Sequence, residues 1–252
     1  MNERQQQILA AVVKEYTETG MPVGSNILAD RYKFNVSTAT LRSDMAQLEE
    51  EKLLFQPHTS AGRVPTDAGY RYFVEEIMPE RELSKKEQQA MQKELLQLRA
   101  QNTRLTRTTA KLLSTLSGNV AISGRPDSDD FFECGLRTLL EEGKDADMDE
   151  LCQMAEALDY IDEKCDVIMK ELGSNETKIF IGEENPISDA KNYSMVVSRY
   201  DVDGEEGIVA LIGPKNMKYE KNKSLINYVK KILGSSSTAM IVVIAGTTII
   251  IY

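Results

Sequence analysis

No acidic residue stands between Lys52 and Thr66, and the run QPHTSAGRVPT (Gln56 to Thr66) within that window reads as a β-hairpin. Two short extended runs, Leu53 to Pro57 and Val64 to Thr66, flank a loop of small polar residues with Gly62 at its end. A hairpin carrying His58, Thr59, Ser60 and Arg63, free of carboxylates, can lie along a phosphate backbone that Asp or Glu would repel. What precedes the hairpin narrows the fold further.

Glu3 to about Thr19 places Ile8, Leu9, Val12, Val13 and Tyr16 at helical spacing and stops at Gly20, with Pro22 beyond. Ser25 can cap a second helix whose apolar side is Ile27, Leu28 and Tyr32, and Lys33 to Val36 form a short turn. Ser37 then caps a third helix, about Thr38 to Glu51, with Leu41, Met45 and Leu48 on its buried side. Its other side shows Thr40, Arg42, Ser43 and Gln47. Helix, short turn, helix, hairpin is the order of a winged helix-turn-helix, whose third helix enters the major groove N-terminus first. Ser37, Thr38 and Thr40 are short enough for close approach, and Arg42 can reach a guanine edge or a phosphate. An ordinary amphipathic surface helix would look the same; the hairpin behind it favours DNA. The expected double-stranded DNA contacts are therefore Ser37, Thr38, Thr40, Arg42, Ser43, His58, Thr59, Ser60 and Arg63.

A formal net charge of -10 argues against nucleic acid until the charges are located. Arg31, Lys33 and Arg42 fall between Arg31 and Ser43 without an acid, while the acids gather at Glu49 to Glu51, Asp127 to Glu163 and Asp201 to Glu206. So small a basic footprint binds weakly in one copy, and two copies would help.

Thr66 can cap a closing helix containing Tyr70, Tyr72, Phe73, Ile77 and Met78, which Pro79 ends. From Leu83 to Ser117 there is no Gly or Pro, and a heptad places Met91, Leu98, Leu105 and Leu112 at d and Leu95, Asn102, Thr109 and Leu116 at a. This predicts one long, coiled-coil-like helix pairing two copies as a homodimer; the alternative is a long helix packed within its own chain. Gly118 to Asp130 reads as a linker. Amphipathic helices are expected at Asp130 to Glu142 and Asp147 to Leu172, and strands at Lys178 to Ile181, Ser194 to Tyr200 and Glu206 to Ile212. The last two strands are separated by the turn signal Asp203-Gly204, and a final helix spans Tyr219 to Leu233. The run AMIVVIAGTTIIIY near the end is too short for a membrane span of about 20 residues. It reads as a strand pairing with the sheet or with another copy, the alternatives being a membrane-associated tail or a non-native end. The fold class is α+β, divided as 1–80 for the DNA-binding domain, 81–118 for the dimerising helix, 119–234 for a second α+β domain and 235–252 for the apolar tail.

Cys134, Cys152 and Cys165 show no CxxC spacing and the single histidine lies far away, so no metal site is expected. Neither a nucleophile elbow, an HExxH nor a Gly-rich phosphate loop is present; no catalysis and no cofactor are expected. An odd cysteine count without a signal peptide places the chain in the cytoplasm. A second function class remains open, a regulatory module whose winged helix contacts a partner or ligand instead of reading DNA.

The runs PVGSNILADRY (Pro22 to Tyr32), VSTATLRSDMAQLEEEKLL (Val36 to Leu54) and QPHTSAGRVPTDAGYRYFV (Gln56 to Val74) strongly resemble the N-terminal domain of the HrcA heat-inducible transcription repressors. FFECGLRTLL (Phe131 to Leu140), IFIGEEN (Ile179 to Asn185) and GIVALIGPKNMKY (Gly207 to Tyr219) look like the same family. The resemblance implies a dimeric repressor of chaperone genes that binds an inverted-repeat operator and is released on heat stress, with a chaperonin as modulator. It also implies a GAF-like C-terminal domain. Family members carry a longer stretch before FFECGLRTLL, so that domain is shortened here, and the apolar tail has no counterpart.

Overall fold

A computed structural model of the chain describes residues 1–101, 104–126, 130–137, 152, 155–156, 158, 161–173, 176–187, 190–202, 204–234, 240–244 and 247–251. It contains two compact units, Met1–Glu80 with Lys215–Lys218, and Arg81–Pro214 with Tyr219–Tyr252. The mixture of helix and sheet agrees with an α+β class.

In the first unit, α1 (Glu3–Thr19) opens on a capping box in which Asn2 and Gln5 satisfy each other's backbone N–H groups. Ile8, Leu9, Val12 and Val13 are buried along it. The short α2 (Ser25–Arg31) is capped by the backbone of Gly24, with Ser25 its first helical residue instead of its cap. Arg31 is drawn to Glu15 of α1 at 2.6 Å, and the Tyr32 hydroxyl donates to the same carboxylate at 3.1 Å. Burial, and then that hydrogen bond, push the Tyr32 phenol up to about 12. In α3 (Thr38–Glu50) the Ser37 hydroxyl accepts from Thr40 N at 3.1 Å, and Leu41, Met45 and Leu48 face the core as their spacing requires. Asp44, buried beside them, takes a two-pronged contact from Arg4 of α1 at 2.7 and 3.1 Å.

Lys52, at φ 60°, turns the chain out of α3, and Leu53 N returns to the Leu48 carbonyl at 2.9 Å. Strands β1 (Leu54–Phe55) and β2 (Val64–Pro65) then pair antiparallel, Leu54 opposite Pro65 and Phe55 opposite Val64. Val23, from the α1–α2 connection, adds a third rung through Arg63. The Thr66 side chain both accepts from Gly69 N, starting α4 (Asp67–Tyr72), and donates to the Lys52 carbonyl at 2.6 Å. The hairpin is thus fastened at each end. A π-helical turn, Phe73–Ile77, continues α4.

The second unit departs from the sequence reading in four places. The long coiled-coil-like helix is two helices, α5 (Lys85–Gln101) and α6 (Leu105–Ser117), because Arg104 is extended at φ −86°, ψ 125°. The heptad's Met91, Leu95, Thr109 and Leu112 are already buried by this chain, so they do not form a seam for a second copy. Within α6 the Thr108 hydroxyl donates back to the Arg104 carbonyl at 3.0 Å. Asn102 lies outside the described residues.

The expected linker holds β3 (Val120–Arg125), a buried central strand, and the expected helix from Asp130 begins as β4 (Asp130–Cys134). Residues 138–142 of that helix lie outside the described residues, as does most of Asp147–Leu172 before α7 (Ile161–Glu171). The remaining strands, β5 (Thr177–Ile181), β6 (Tyr193–Val202) and β7 (Glu205–Pro214), fall where expected, followed by α8 (Tyr219–Gly234). They form one antiparallel sheet in the order β4-β3-β7-β6-β5. The terminal run pairs with itself, β8 (Met240–Ile244) against β9 (Thr247–Ile251), as a separate two-stranded sheet instead of joining the main one.

Strand alternation gives the main sheet two covered faces. Ile122, Phe180, Met195, Val197, Ile208 and Ala210 form a core with Leu158, Cys165, Ile168 and Leu172, on the side of α7. On the opposite face Thr106 of α6 bonds Asp130 at 2.9 Å, and Tyr219 of α8 bonds Ser194 at 2.8 Å.

Gly207 fixes the β6–β7 register. A Cβ there would meet Tyr200 Cζ, on the residue directly opposite, at 2.1 Å. The ring is buried, which also pushes its phenol up. It cannot swing into solvent, so Gly207→Ala is expected to cost about 1 to 3 kcal/mol, read as a lower denaturant midpoint for this unit.

Candidate nucleic-acid interface

The exposed side of α3 presents Thr38, Arg42 and Ser43, with Thr40 half buried. Ser37 is exposed but its oxygen is engaged: besides capping the helix it lies 3.0 Å from the Thr40 hydroxyl. Both hydroxyls retain lone pairs, yet their first role is to hold the helix start. The loop after β1 is tied from within, since the Gln56 side-chain amide donates to the Thr59 carbonyl at 2.9 Å and to the Ala61 carbonyl at 2.8 Å. Ala61 N donates to the His58 carbonyl at 2.8 Å, closing the turn. His58, Thr59 and Ser60 are displayed to solvent on a loop whose carbonyls at His58, Thr59 and Ala61 are satisfied from within.

Arg63 is placed differently from the sequence expectation. Its side chain is 15% exposed, and its Nε lies 2.9 Å from a Glu49 carboxylate oxygen on α3, an ion pair by distance without the alignment of a hydrogen bond. Its backbone exchanges two hydrogen bonds with Val23, at 2.9 and 2.8 Å. A guanidinium so held is a strut between hairpin and helix, not a free phosphate contact, and sequence alone offered no sign that Glu49 would claim it. Gly62 sits hard against the same rung.

The three elements enclose a cleft of about 540 Å³ lined by Arg42 and Met45 of α3, Val23 to Asn26 at the start of α2, and Gln56 and Thr59 to Arg63 of the hairpin. Four expected contacts, Arg42, Thr59, Ser60 and Arg63, meet around this cleft; Ser37, Thr38, Thr40, Ser43 and His58 do not line it. Asn26, a polar side chain at the start of α2 outside the sequence expectation, also lines it. Two guanidinium groups and no carboxylate line the space. Such an arrangement attracts anions and offers them neutral donors, with no group suited to bond-making chemistry. Among the described residues no cluster of His, Cys, Asp and Glu could hold a metal ion, and no helix is long and apolar enough to cross a membrane.

Residues 73–222 match the family model described as the HrcA protein C-terminal domain. The chain is 45% identical over 127 residues to the heat-inducible transcription repressor HrcA of Moorella thermoacetica, covering 50% of this chain and 37% of that protein. It is 48% identical over 127 residues to the repressor of the same name from Acaryochloris marina, covering 50% and 35%. The matched stretch thus spans about a third of the length of these curated relatives. A crystal structure described only as that of a hypothetical protein shares the fold with a TM-score of 0.70 at 17% identity, covering 93% of this chain and 98% of that one.

Proposed function

We propose that this chain, which belongs to the HrcA family, is a sequence-specific transcription repressor that binds double-stranded DNA through its first unit. In this reading residues 1–80 are a winged helix-turn-helix: α3 enters the major groove and the β1–β2 hairpin is the wing. The second unit is a shortened GAF-like domain. The observation that carries the proposal is local charge. In a chain of net charge -10, the cleft between α3 and the hairpin is lined by no acid and by two arginines, of which Arg42 stands outside the Arg63–Glu49 ion pair.

The relatives' name supports repression that heat relieves. Binding to an inverted repeat by two copies, release on heating and modulation by a chaperonin belong to the same proposal, as does residence in the cytoplasm. Four of the heptad residues, Met91, Leu95, Thr109 and Leu112, are buried within the chain, so the dimer contact is sought elsewhere, and half-sites are expected about 34 to 36 Å apart or a multiple of that. A nuclease footprint on the DNA upstream of the chain's own gene, with and without chaperonin, tests the proposal. Absence of any protected site would overturn it, and protection indifferent to chaperonin would remove that part alone.

Arg42 is the side chain best placed to read a base. Arg42→Ala is expected to cut the preference for the protected site over a scrambled duplex by about 1 to 3 kcal/mol. Competition binding measures this; equal losses on the two duplexes would make Arg42 a backbone contact.

A further inference from the structure

We propose that the cleft enclosed by the start of α2, by α3 and by the hairpin seats a phosphate of the DNA backbone, with Asn26 as its donor from α2. The inference rests on the DNA-binding reading and adds a contact outside α3 and the wing. Four side chains on three elements, Asn26, Arg42, Thr59 and Ser60, line the cleft and make no hydrogen bond or ion pair within the described residues. The other polar groups around it are already engaged: Gln56 closes its own loop and Arg63 is held by Glu49.

The remaining chemistry is therefore an amide, two hydroxyls and one guanidinium facing a common space. Short neutral donors beside a cation suit the oxygens of a phosphodiester, which accepts from several directions at once. A base edge needs a long side chain reaching into a groove, and of the four only Arg42 has that reach. The absence of a carboxylate matters here, because the chain has 40 acidic residues against 30 basic ones. The volume, about 540 Å³, admits a phosphodiester together with its adjoining sugars.

Asn26→Asp tests this cleanly. The change is nearly isosteric, Asn26 is exposed, and a carboxylate in the first turn of a helix favours that helix, so the variant keeps its fold, which its melting curve checks. Binding of the full chain is measured on a duplex containing the footprinted site and on a scrambled duplex, over a series of salt concentrations. The expected result is a loss of about tenfold on both duplexes by the same factor, with the slope of log K against log salt shallower by about one. An unchanged affinity, or a loss confined to the footprinted site, would overturn the inference while leaving a DNA-binding parent intact. A parent that bound neither duplex would remove the repressor reading and this inference together.

Discussion

Gly62→Ala is expected to unseat the hairpin and to remove most DNA binding. A Cβ at Gly62 would lie 2.3 Å from the Val23 carbonyl carbon, 2.4 Å from its oxygen and 2.7 Å from Gly24 N. All three obstacles are backbone, so no rotamer change relieves them. The hairpin must lift from the α1–α2 connection, straining or breaking the two Val23–Arg63 hydrogen bonds. Overpacking of this kind costs about 1 to 3 kcal/mol, and each lost backbone bond adds roughly 0.5 to 1.5 kcal/mol. Displacing the hairpin base also moves Thr59 and Ser60 away from α3, so affinity for the footprinted duplex is expected to fall roughly 100-fold, about 2.7 kcal/mol. Gly24→Ala is the control: it lines the same cleft, but its added Cβ meets nothing within 4 Å. Alanine is a poorer cap than glycine for α2, so the change should cost about 1 kcal/mol of stability while keeping most of the duplex affinity. Thermal melting and duplex titration of the two variants decide the matter; a Gly62→Ala chain that bound like the parent would show that the Val23 rung does not hold the hairpin.

The first unit was largely legible because its signals are local. Ser37 and Thr66 cap helices where they were expected to, and Gly20 stops α1. Only the cap of α2 shifts, by one residue. In the second unit the deciding interactions are long-range. Val120–Gly124 becomes a central strand because it pairs with Ile208–Ile212, a segment far along the chain, and composition there suggested only a linker. Phe131 packs on the α7 side of the sheet while Phe132 lies under Arg107 of α6. With one aromatic ring committed to each face, β4 lacks the alternation that marks a one-sided strand, and its apolar run resembles a helix. The heptad failed for a related reason. An apolar stripe records that a helix face is buried, not whether the cover is a second chain or the next helix of the same one.

The cleft shows a similar division: Arg42, Thr59, Ser60 and Arg63 do meet there, but their partners were not legible. Arg63 carries the charge expected of a wing, but whether that charge reaches DNA depends on Glu49, at the far end of α3. Arg63→Glu is therefore expected to abolish binding. It sets two carboxylates against each other where an ion pair stood, and like charges so close push hairpin and helix apart. It also turns a neutral pair into a double negative charge beside the phosphates. The two roles open to Arg63 separate in the exchanged variant, Glu49→Arg with Arg63→Glu. A strut is restored when the charges trade places, so melting temperature and most of the affinity should return, with the salt slope matching the parent's. A phosphate contact made by Arg63 itself would not return, because the cation would then sit on α3 and the hairpin would carry an acid. In that case the exchanged chain would melt like the parent but bind both duplexes weakly, with a slope shallower by about one. The 2.9 Å ion pair and 15% exposure of Arg63 favour rescue. If rescue failed, the hairpin would have to rearrange on DNA, releasing Arg63 from Glu49 to reach a phosphate, and the position of the wing in the free chain would not be the one that binds.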